Sequence, residues 1–153
     1  NEDSNYDEKF WVEVKKKVKR RQGYVIAETK KTAFQVCTGM KFNIFQNGEE
    51  VDFDSFRIQN EKYVGCAVDL PAREEEETVI YKYAANVTSF NHDKEEIYGL
   101  CKDKVKDAFK QGFESLLEEH ANAWKSKWEE ADITIEGDVA AQQGIRFNIF
   151  QPR

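Results

Sequence analysis

The sequence predicts an α+β fold in which an antiparallel sheet comes first and helices follow. Up to about residue 90, apolar and polar residues alternate in short runs separated by turn signals, which is typical of antiparallel strands. Beyond that point, apolar residues recur at helical spacing. With 153 residues, of which 40% are hydrophobic, the chain is long enough to bury a core of its own.

We expect about six strands, as part of a β-sandwich. The first begins at Phe10 and the second covers residues 24–29. The clearest strand covers residues 33–45, and the Asn47-Gly48 pair after it is the strongest hairpin signal in the chain. One side of that strand carries Phe34, Val36, Thr38, Met40, Phe42 and Ile44.

Three more strands are predicted over residues 51–58, 64–70 and 79–87. In the first of these, the spacing between Phe53 and Phe56 breaks the alternation, which predicts a β-bulge. Residues 1–9 are polar and are expected to fray.

Two linker helices are predicted next. Asp93 with Glu96 resembles a capping box, so the first helix is expected over residues 93–111. Gly112 favours a break, because Gly is common just after a helix end. A second helix over residues 113–130 would then fold back on the first. The stripe of the first helix consists of Ile97, Cys101, Val105, Ala108 and Phe109.

The last thirty residues are rich in apolar side chains. Trp124 and Trp128 lie one turn apart on the second helix, and residues 131–136 alternate as a short extended segment. Asp138 is expected to cap a short terminal helix over residues 139–150. The large apolar residues of that helix need a surface to pack against, so we expect this region to be an interface.

Charge and cysteine content narrow the function classes. The net charge of −6 disfavours nucleic-acid binding, and the basic run at residues 15–21 is interpreted as a solvated edge strand. The acidic run at residues 74–77 is interpreted as a loop. Cys37, Cys66 and Cys101 lack the spacing of a disulfide framework or a metal site, so we expect small buried hydrophobic residues in a reducing compartment.

Several segments, taken together, resemble a known family. The C-terminal ones are His120, Trp124-x3-Trp128, Asp132-Ile-x-Ile-Glu-Gly-Asp138 and Gln142-Gln-x-Ile-Arg-Phe-x-Ile-Phe150. The upstream ones are Thr32-Ala-Phe34, Tyr81-Lys82, Thr88-Ser89 and Gly112-Phe113-x-x-Leu116-Leu117. The combination resembles glycoside hydrolase family 65, over residues 30–151 and most strongly over 112–151. A dozen ordered matches are more specific than one short motif.

The resemblance implies a junction within a longer enzyme. Residues 1–90 would be the later part of an N-terminal β-sandwich, residues 91–136 a helical linker, and residues 137–153 the first helix of an (α/α)6 catalytic barrel. The longer enzyme would be an inverting phosphorylase that converts an α-linked glucosyl disaccharide and inorganic phosphate to β-glucose 1-phosphate and glucose, with no metal or organic cofactor.

The resemblance also implies partners and location. The general acid and the phosphate-binding residues would lie in the barrel, beyond Arg153, so no catalytic, cofactor-binding or metal-binding residue is assigned to this chain. By itself the chain should be inactive, and within the longer enzyme it would orient the barrel and contribute to a homodimer contact. No apolar run reaches the roughly 18 residues of a membrane span and no signal peptide is evident, so we expect a cytoplasmic protein.

Five residues could carry chemistry, but each has a structural explanation. Glu136 and Asp138 beside Arg146 could form a sugar and phosphate site, yet Asp138 is explained as a helix cap and Arg146 can pair with either acid. His92 and His120 do not have metal-ligand spacing. His120 is expected to be a hydrogen-bonded packing residue between helices.

Two functions from other classes remain as alternatives. A helix-grip fold could enclose an apolar ligand between the long helix and the sheet. Its lining would be Phe34, Met40, Phe42, Tyr81, Tyr83, Trp124 and Trp128. A carbohydrate-binding β-module would stack aromatic side chains on sugar, and it would need exposed aromatic residues on strands.

Overall fold

The computed structural model describes residues 10–151, which form seven strands and three helices. The strands are β1 (Trp11–Lys19), β2 (Gln22–Thr29), β3 (Gln35–Gln46), β4 (Glu49–Glu50), β5 (Ser55–Asn60), β6 (Tyr63–Val68) and β7 (Thr78–Thr88). The helices are α1 (Ile97–Gln111), α2 (Phe113–Ala131) and α3 (Val139–Phe150). The α+β prediction of a sheet followed by helices is therefore confirmed. The predicted fraying of residues 1–9 lies outside the described residues.

Two antiparallel sheets make up the β portion. Four strands lie in the order β1-β2-β3-β4, with β7 also paired to β3, and β5 and β6 form a separate hairpin. The hairpin predicted at Asn47-Gly48 is present: both residues have positive φ, 50° and 85°, and Gln46 pairs with Glu49. Positive φ at both central residues defines the type I′ turn that Asn-Gly favours.

The five-stranded sheet has a core on each face. Alternate residues of β3 point to opposite sides, so Cys37 meets α1 while Phe42 and Ile44 point away from it. The α1 face holds Tyr24, Ile26, Cys37, Val87, Ile97, Cys101 and Val105. The opposite face packs Phe42, Ile44 and Phe53 against residues of the β5–β6 hairpin. The five-stranded sheet is thus covered by α1 on one face and by the β5–β6 hairpin on the other.

The strand predicted over residues 51–58 is wrong as a single bulged strand. The chain leaves the five-stranded sheet after β4, and Phe53 turns inward to stack on Phe42 with ring centroids 5.7 Å apart. Arg20 satisfies the Phe53 carbonyl, since its Nε donates to that oxygen at 3.0 Å. Phe53 is therefore buried in the connection between β4, which ends at Glu50, and β5, which begins at Ser55. A register shift is found instead in β1, between Glu13 and Lys15.

The charged runs and two of the three cysteines have the predicted settings in the part of the chain that the structure describes. The basic run lies on β1 as far as Lys19 and continues into the turn at Arg20 and Arg21. In the sheet, β1 pairs with β2 and is an edge strand. The acidic run at residues 74–77 lies in an irregular connection between β6 and β7. Cys37 and Cys101 are buried and Cys66 is half-buried, and all three are free thiols.

The chain divides into two compact units after Gln111. The first contains both sheets and α1. The helix begins at Ile97 rather than at Asp93, and a turn precedes it in which the Asp93 carbonyl accepts from the Glu96 and Ile97 amides. The second contains α2 and α3. The predicted break between α1 and α2 at Gly112 is confirmed, and the φ of Gly112, 84°, is one that Gly adopts readily. The predicted packing of the two linker helices on each other stays a prediction, as does the division into three segments.

Candidate functional site

The second unit carries an aromatic surface, which we call the helical surface. It is formed by Trp124 and Trp128 of α2 together with Val139, Phe147 and Phe150 of α3. The rings of Trp124 and Phe150 are tilted against each other with centroids 5.2 Å apart. Neither helix contains a buried residue, and Val139, Phe147 and Phe150 are 84%, 60% and 53% exposed. Trp124 and Trp128 are half-buried by these contacts, while Val139, Phe147 and Phe150 keep most of their area facing outward.

Sequence-local signals place the start of α3. Gly137 has a φ of 88°, and Asp138 follows in an extended conformation as the N-cap. Its Oδ1 accepts a hydrogen bond from the Ala141 amide at 2.9 Å, which satisfies one of the amides that a helix start leaves unpaired. The predicted capping role of Asp138 is confirmed.

The extended segment before α3 is held by one side chain, Gln142. Its Oε1 accepts from the Ile135 amide at 2.6 Å, and its Nε2 donates to the Ile133 carbonyl at 2.9 Å. The side-chain amide thus makes the pair of bonds that a neighbouring strand would make. Residues 132–135 remain extended without a partner strand.

An ion pair fixes the same segment to α3. Arg146 donates to both carboxylate oxygens of Asp132, from Nε at 2.9 Å and from a terminal nitrogen at 2.6 Å. This two-bond geometry is the favourable one for Arg and a carboxylate. The hydrogen bond and the positive charge of Arg146 lower the pKa of Asp132, and the carboxylate raises the pKa of Arg146.

The expected pairing of Arg146 with Glu136 or Asp138 is wrong. Asp132 holds the guanidinium instead, because the chain turns at Gly137 and brings the segment before it back along α3. Glu136 is exposed, and Asp138 caps the helix. The two carboxylates and the guanidinium are therefore not assembled as a sugar and phosphate site.

The two histidines lie in different units and have different settings. His92 is exposed in a turn before α1. His120 is exposed on α2, with its ring in edge contact with Trp124 at 6.2 Å. A hydrogen bond between helices for His120 stays a prediction. Among residues 10–151, no group of three or more His, Cys, Asp or Glu side chains is arranged to hold a metal ion.

Sequence reasoning missed Gln142 and Asp132 as the groups that order this region. Both act across a turn, over separations of 7 to 14 residues. No local spacing rule covers such contacts. The cation over the indole face of Trp124, the ammonium of Lys127 at 5.2 Å, was also missed, although a three-residue separation on a helix places such side chains together.

A shallow hollow of about 510 Å³ opens on the helical surface. It is lined by Trp128, Val139, Gln142, Gln143, Arg146, Phe147 and Phe150. Exposed aromatic groups beside an Arg, with few other charges, are typical of the central part of a protein interface. Fold and site together define an α+β chain of two compact units, the second of which carries a partly exposed aromatic surface.

Comparison with known proteins identifies the family. Residues 1–127 match the model of the glycosyl hydrolase family 65 N-terminal domain. The maltose phosphorylase of Bacillus subtilis (strain 168) is 33% identical over 152 residues, which is 99% of this chain and 19% of that protein. The α,α-trehalose phosphorylase of Thermoanaerobacter brockii is 29% identical over 147 residues, 96% of this chain and 19% of that protein. The chain therefore belongs to glycosyl hydrolase family 65.

A solved structure agrees with the fold. A kojibiose phosphorylase candidate from the human microbiome superimposes with a TM-score of 0.72 at 24% identity, over 92% of this chain and 18% of that one. The chain spans about a fifth of the length of the relatives it matches. None of the helices described between residues 10 and 151 is long and apolar enough to cross a membrane.

Proposed function

We propose that this chain is a non-catalytic segment of an inverting glycoside phosphorylase, in which it orients the catalytic barrel. The longer enzyme would use inorganic phosphate to cleave an α-linked glucosyl disaccharide into β-glucose 1-phosphate and glucose, with no metal or organic cofactor. It would be a cytoplasmic homodimer, and this segment would contribute to the dimer contact. The catalytic barrel of that longer polypeptide would be the first partner of this segment.

One observation carries the structural role, namely the exposure of the helical surface. Large apolar side chains that face outward together usually mark a surface for another domain or chain. The capped helix start, the Gln142 bonds and the Asp132–Arg146 pair all hold this surface in a defined shape. A pre-ordered surface loses less conformational entropy when its partner binds.

The inactivity of the chain alone is tested by assay. The chain should release no glucose 1-phosphate from maltose, trehalose or kojibiose in the presence of phosphate. Turnover of any of the three would place catalytic groups in this chain and overturn the proposal.

The interface role is tested by sedimentation. We expect the chain to self-associate through the helical surface, and a chain ending at Glu136 to remain monomeric. Phe147→Ser with Phe150→Ser should abolish the association. Phe90→Ser is the matched control, because Phe90 is 82% exposed in the other unit and should have no effect. Equal, monomeric behaviour of the full and shortened chains would show that the terminal helix is not an interface.

A second candidate, apolar-ligand binding, is supported by a groove but not by the expected helix-grip cavity. The space between α1 and the sheet is filled, since Ile97, Cys101 and Val105 are fully buried there. An open groove of about 460 Å³ lies on the opposite face, where Met40 and Phe42 are among its lining residues. Saturable binding of a hydrophobic dye, abolished by Met40→Lys and retained in the chain ending at Glu136, would favour this function.

The carbohydrate-binding alternative has a narrower basis. Trp124 and Trp128 lie on a helix, as predicted, whereas the exposed aromatic residues Phe56 and Tyr63 lie on the β5–β6 hairpin. Stacking of maltose on these rings would shift the NMR signals of the hairpin alone. An unchanged hairpin spectrum at high maltose concentration would exclude it.

A further inference from the structure

A small hollow lies between the edge of the five-stranded sheet and helix α1. Its volume is about 120 Å³. It is lined by Lys17, Lys19, Gln22, Tyr24, Tyr98 and Lys102. Three exposed lysines, two tyrosines and one glutamine thus line a space that would hold roughly four water molecules at about 30 Å³ each.

The strand register explains why these residues converge. Lys17 pairs with Tyr24 and Lys19 pairs with Gln22 across β1 and β2, and directly opposed residues share one face of a sheet. That face is the one covered by α1, since Tyr24 packs in the α1 core. Tyr98 and Lys102 are four residues apart on α1 and therefore share its surface toward the strands.

Within the part of the chain that the structure describes, the lysines of the hollow have no carboxylate in contact, although the charge of Asp103 reaches Tyr24. Lys17, Lys19 and Lys102 form no ion pair there, whereas Lys16, on the opposite face of β1, lies 3.0 Å from Glu13. Lys17 is held 6.0 Å from the centroid of the Tyr98 ring. Three like charges around one hollow, in a chain of net charge −6, repel one another unless an anion lies between them.

A buried hydroxyl adds a neutral donor. Tyr24 is 5% exposed, and its hydroxyl makes a long hydrogen bond of 3.4 Å to the Gln22 side chain. Burial raises the pKa of Tyr24, and the nearby carboxylate of Asp103 also contributes to that rise. The phenol therefore stays protonated and can donate to an oxyanion.

We propose that this hollow binds a phosphate dianion, either inorganic phosphate or the phosphoryl group of a phosphorylated sugar. The lysines would supply charge-assisted hydrogen bonds, and Tyr24 a neutral one after its hydroxyl proton turns away from the Gln22 side chain. The volume accommodates a tetrahedral oxyanion but not a hexose ring, so a sugar would remain outside. This inference does not depend on the proposed function, because it concerns a site on the first unit and requires no catalysis.

The test is a titration of the full chain with sodium phosphate, followed by calorimetry and by amide NMR, against sodium chloride at matched ionic strength. Saturable binding should shift the amide signals of the lining residues. Lys102→Gln should weaken binding about tenfold, the effect of losing one hydrogen bond to a charged group. Lys104→Gln is the matched control, since Lys104 is exposed on the same helix and does not line the hollow. It should change the dissociation constant by less than about twofold.

The outcomes separate a site from general charge attraction. Equal weakening by Lys102→Gln and Lys104→Gln, or binding that vanishes in matched chloride, would overturn the proposal. Lys17→Gln on the edge strand provides a second variant if Lys102→Gln does not fold, and it should give the same loss. Glucose 1-phosphate distinguishes the sources: tighter binding than phosphate supports a sugar phosphate, and equal or weaker binding supports inorganic phosphate.

Discussion

Replacing Gln142 by Ala should loosen the extended segment that precedes α3. The substitution removes the hydrogen bonds at 2.6 Å to the Ile135 amide and at 2.9 Å to the Ile133 carbonyl. At about 0.5–1.5 kcal/mol net for each bond, the loss is about 1–3 kcal/mol. Local opening would then become about 5- to 150-fold more frequent.

Amide hydrogen exchange measures this directly at Ile135. Its protection factor should fall by that ratio, while the amides of the five-stranded sheet, which lies in the first unit, should exchange as before. Gln143→Ala is the matched control. Gln143 is the next residue on the same helix, it forms no hydrogen bond that holds the segment, and it undergoes the same change in helix propensity.

Two results would refute the reasoning. If Ile135 keeps its protection in Gln142→Ala, the segment is ordered by something other than the side-chain amide. If Gln143→Ala lowers the protection equally, the effect comes from the helix as a whole.

Three further changes test other parts of the structure. Asp138→Ala removes the cap of α3 and should cost the helix about 1 kcal/mol, seen as lower ellipticity at 222 nm and restored by Asp138→Ser. Ile97→Ala in the core should lower the free energy of unfolding of the first unit by about 2–5 kcal/mol in urea, whereas Ile80→Ala, at a position 60% exposed, should cost much less. Because Arg146 lowers the pKa of Asp132 in the folded state, the stabilisation by this pair is present above the unfolded-state pKa and is lost as the pH falls through the folded one. The difference in denaturation midpoint between the unmodified chain and Asp132→Asn should therefore shrink between neutral pH and pH 2, and a difference that grows on acidification would contradict the assignment.

Features set by neighbouring residues could be predicted from the sequence. The Asn47-Gly48 turn, the break at Gly112 and the Asp138 cap each depend on the conformational preference or hydrogen bonding of one or two residues. The alternation of residues in β3 also predicted that strand correctly, because successive side chains of a strand point to opposite faces of the sheet. The order of elements followed from these local signals.

Features set by distant contacts could not be predicted. The chain leaves the sheet before Ser55 because Phe53 stacks on Phe42 and its carbonyl binds Arg20, and neither partner is near in sequence. Arg146 likewise pairs with Asp132 and not with Asp138, which is nearer in sequence, because the turn at Gly137 brings Asp132 back beside α3. The basic run was correctly interpreted as an edge strand. Which of its side chains face α1 and which face the β5–β6 hairpin could be assigned only from the pairing register of β1 and β2.

The two units differ in where their stability can come from, and this difference bears on function. The first unit buries its own core around Ile44, Ile97 and Val105. The second has two helices of 19 and 12 residues with no buried residue, and most helices in proteins gain their stability from packing an apolar face. The exposed Asp132–Arg146 ion pair adds little to that balance. The hydrogen bonds of Gln142 order the segment before α3 but bury no apolar face of either helix. The second unit should therefore gain most of its stability when the helical surface is covered, which is the behaviour expected of a junction and not of an independent domain.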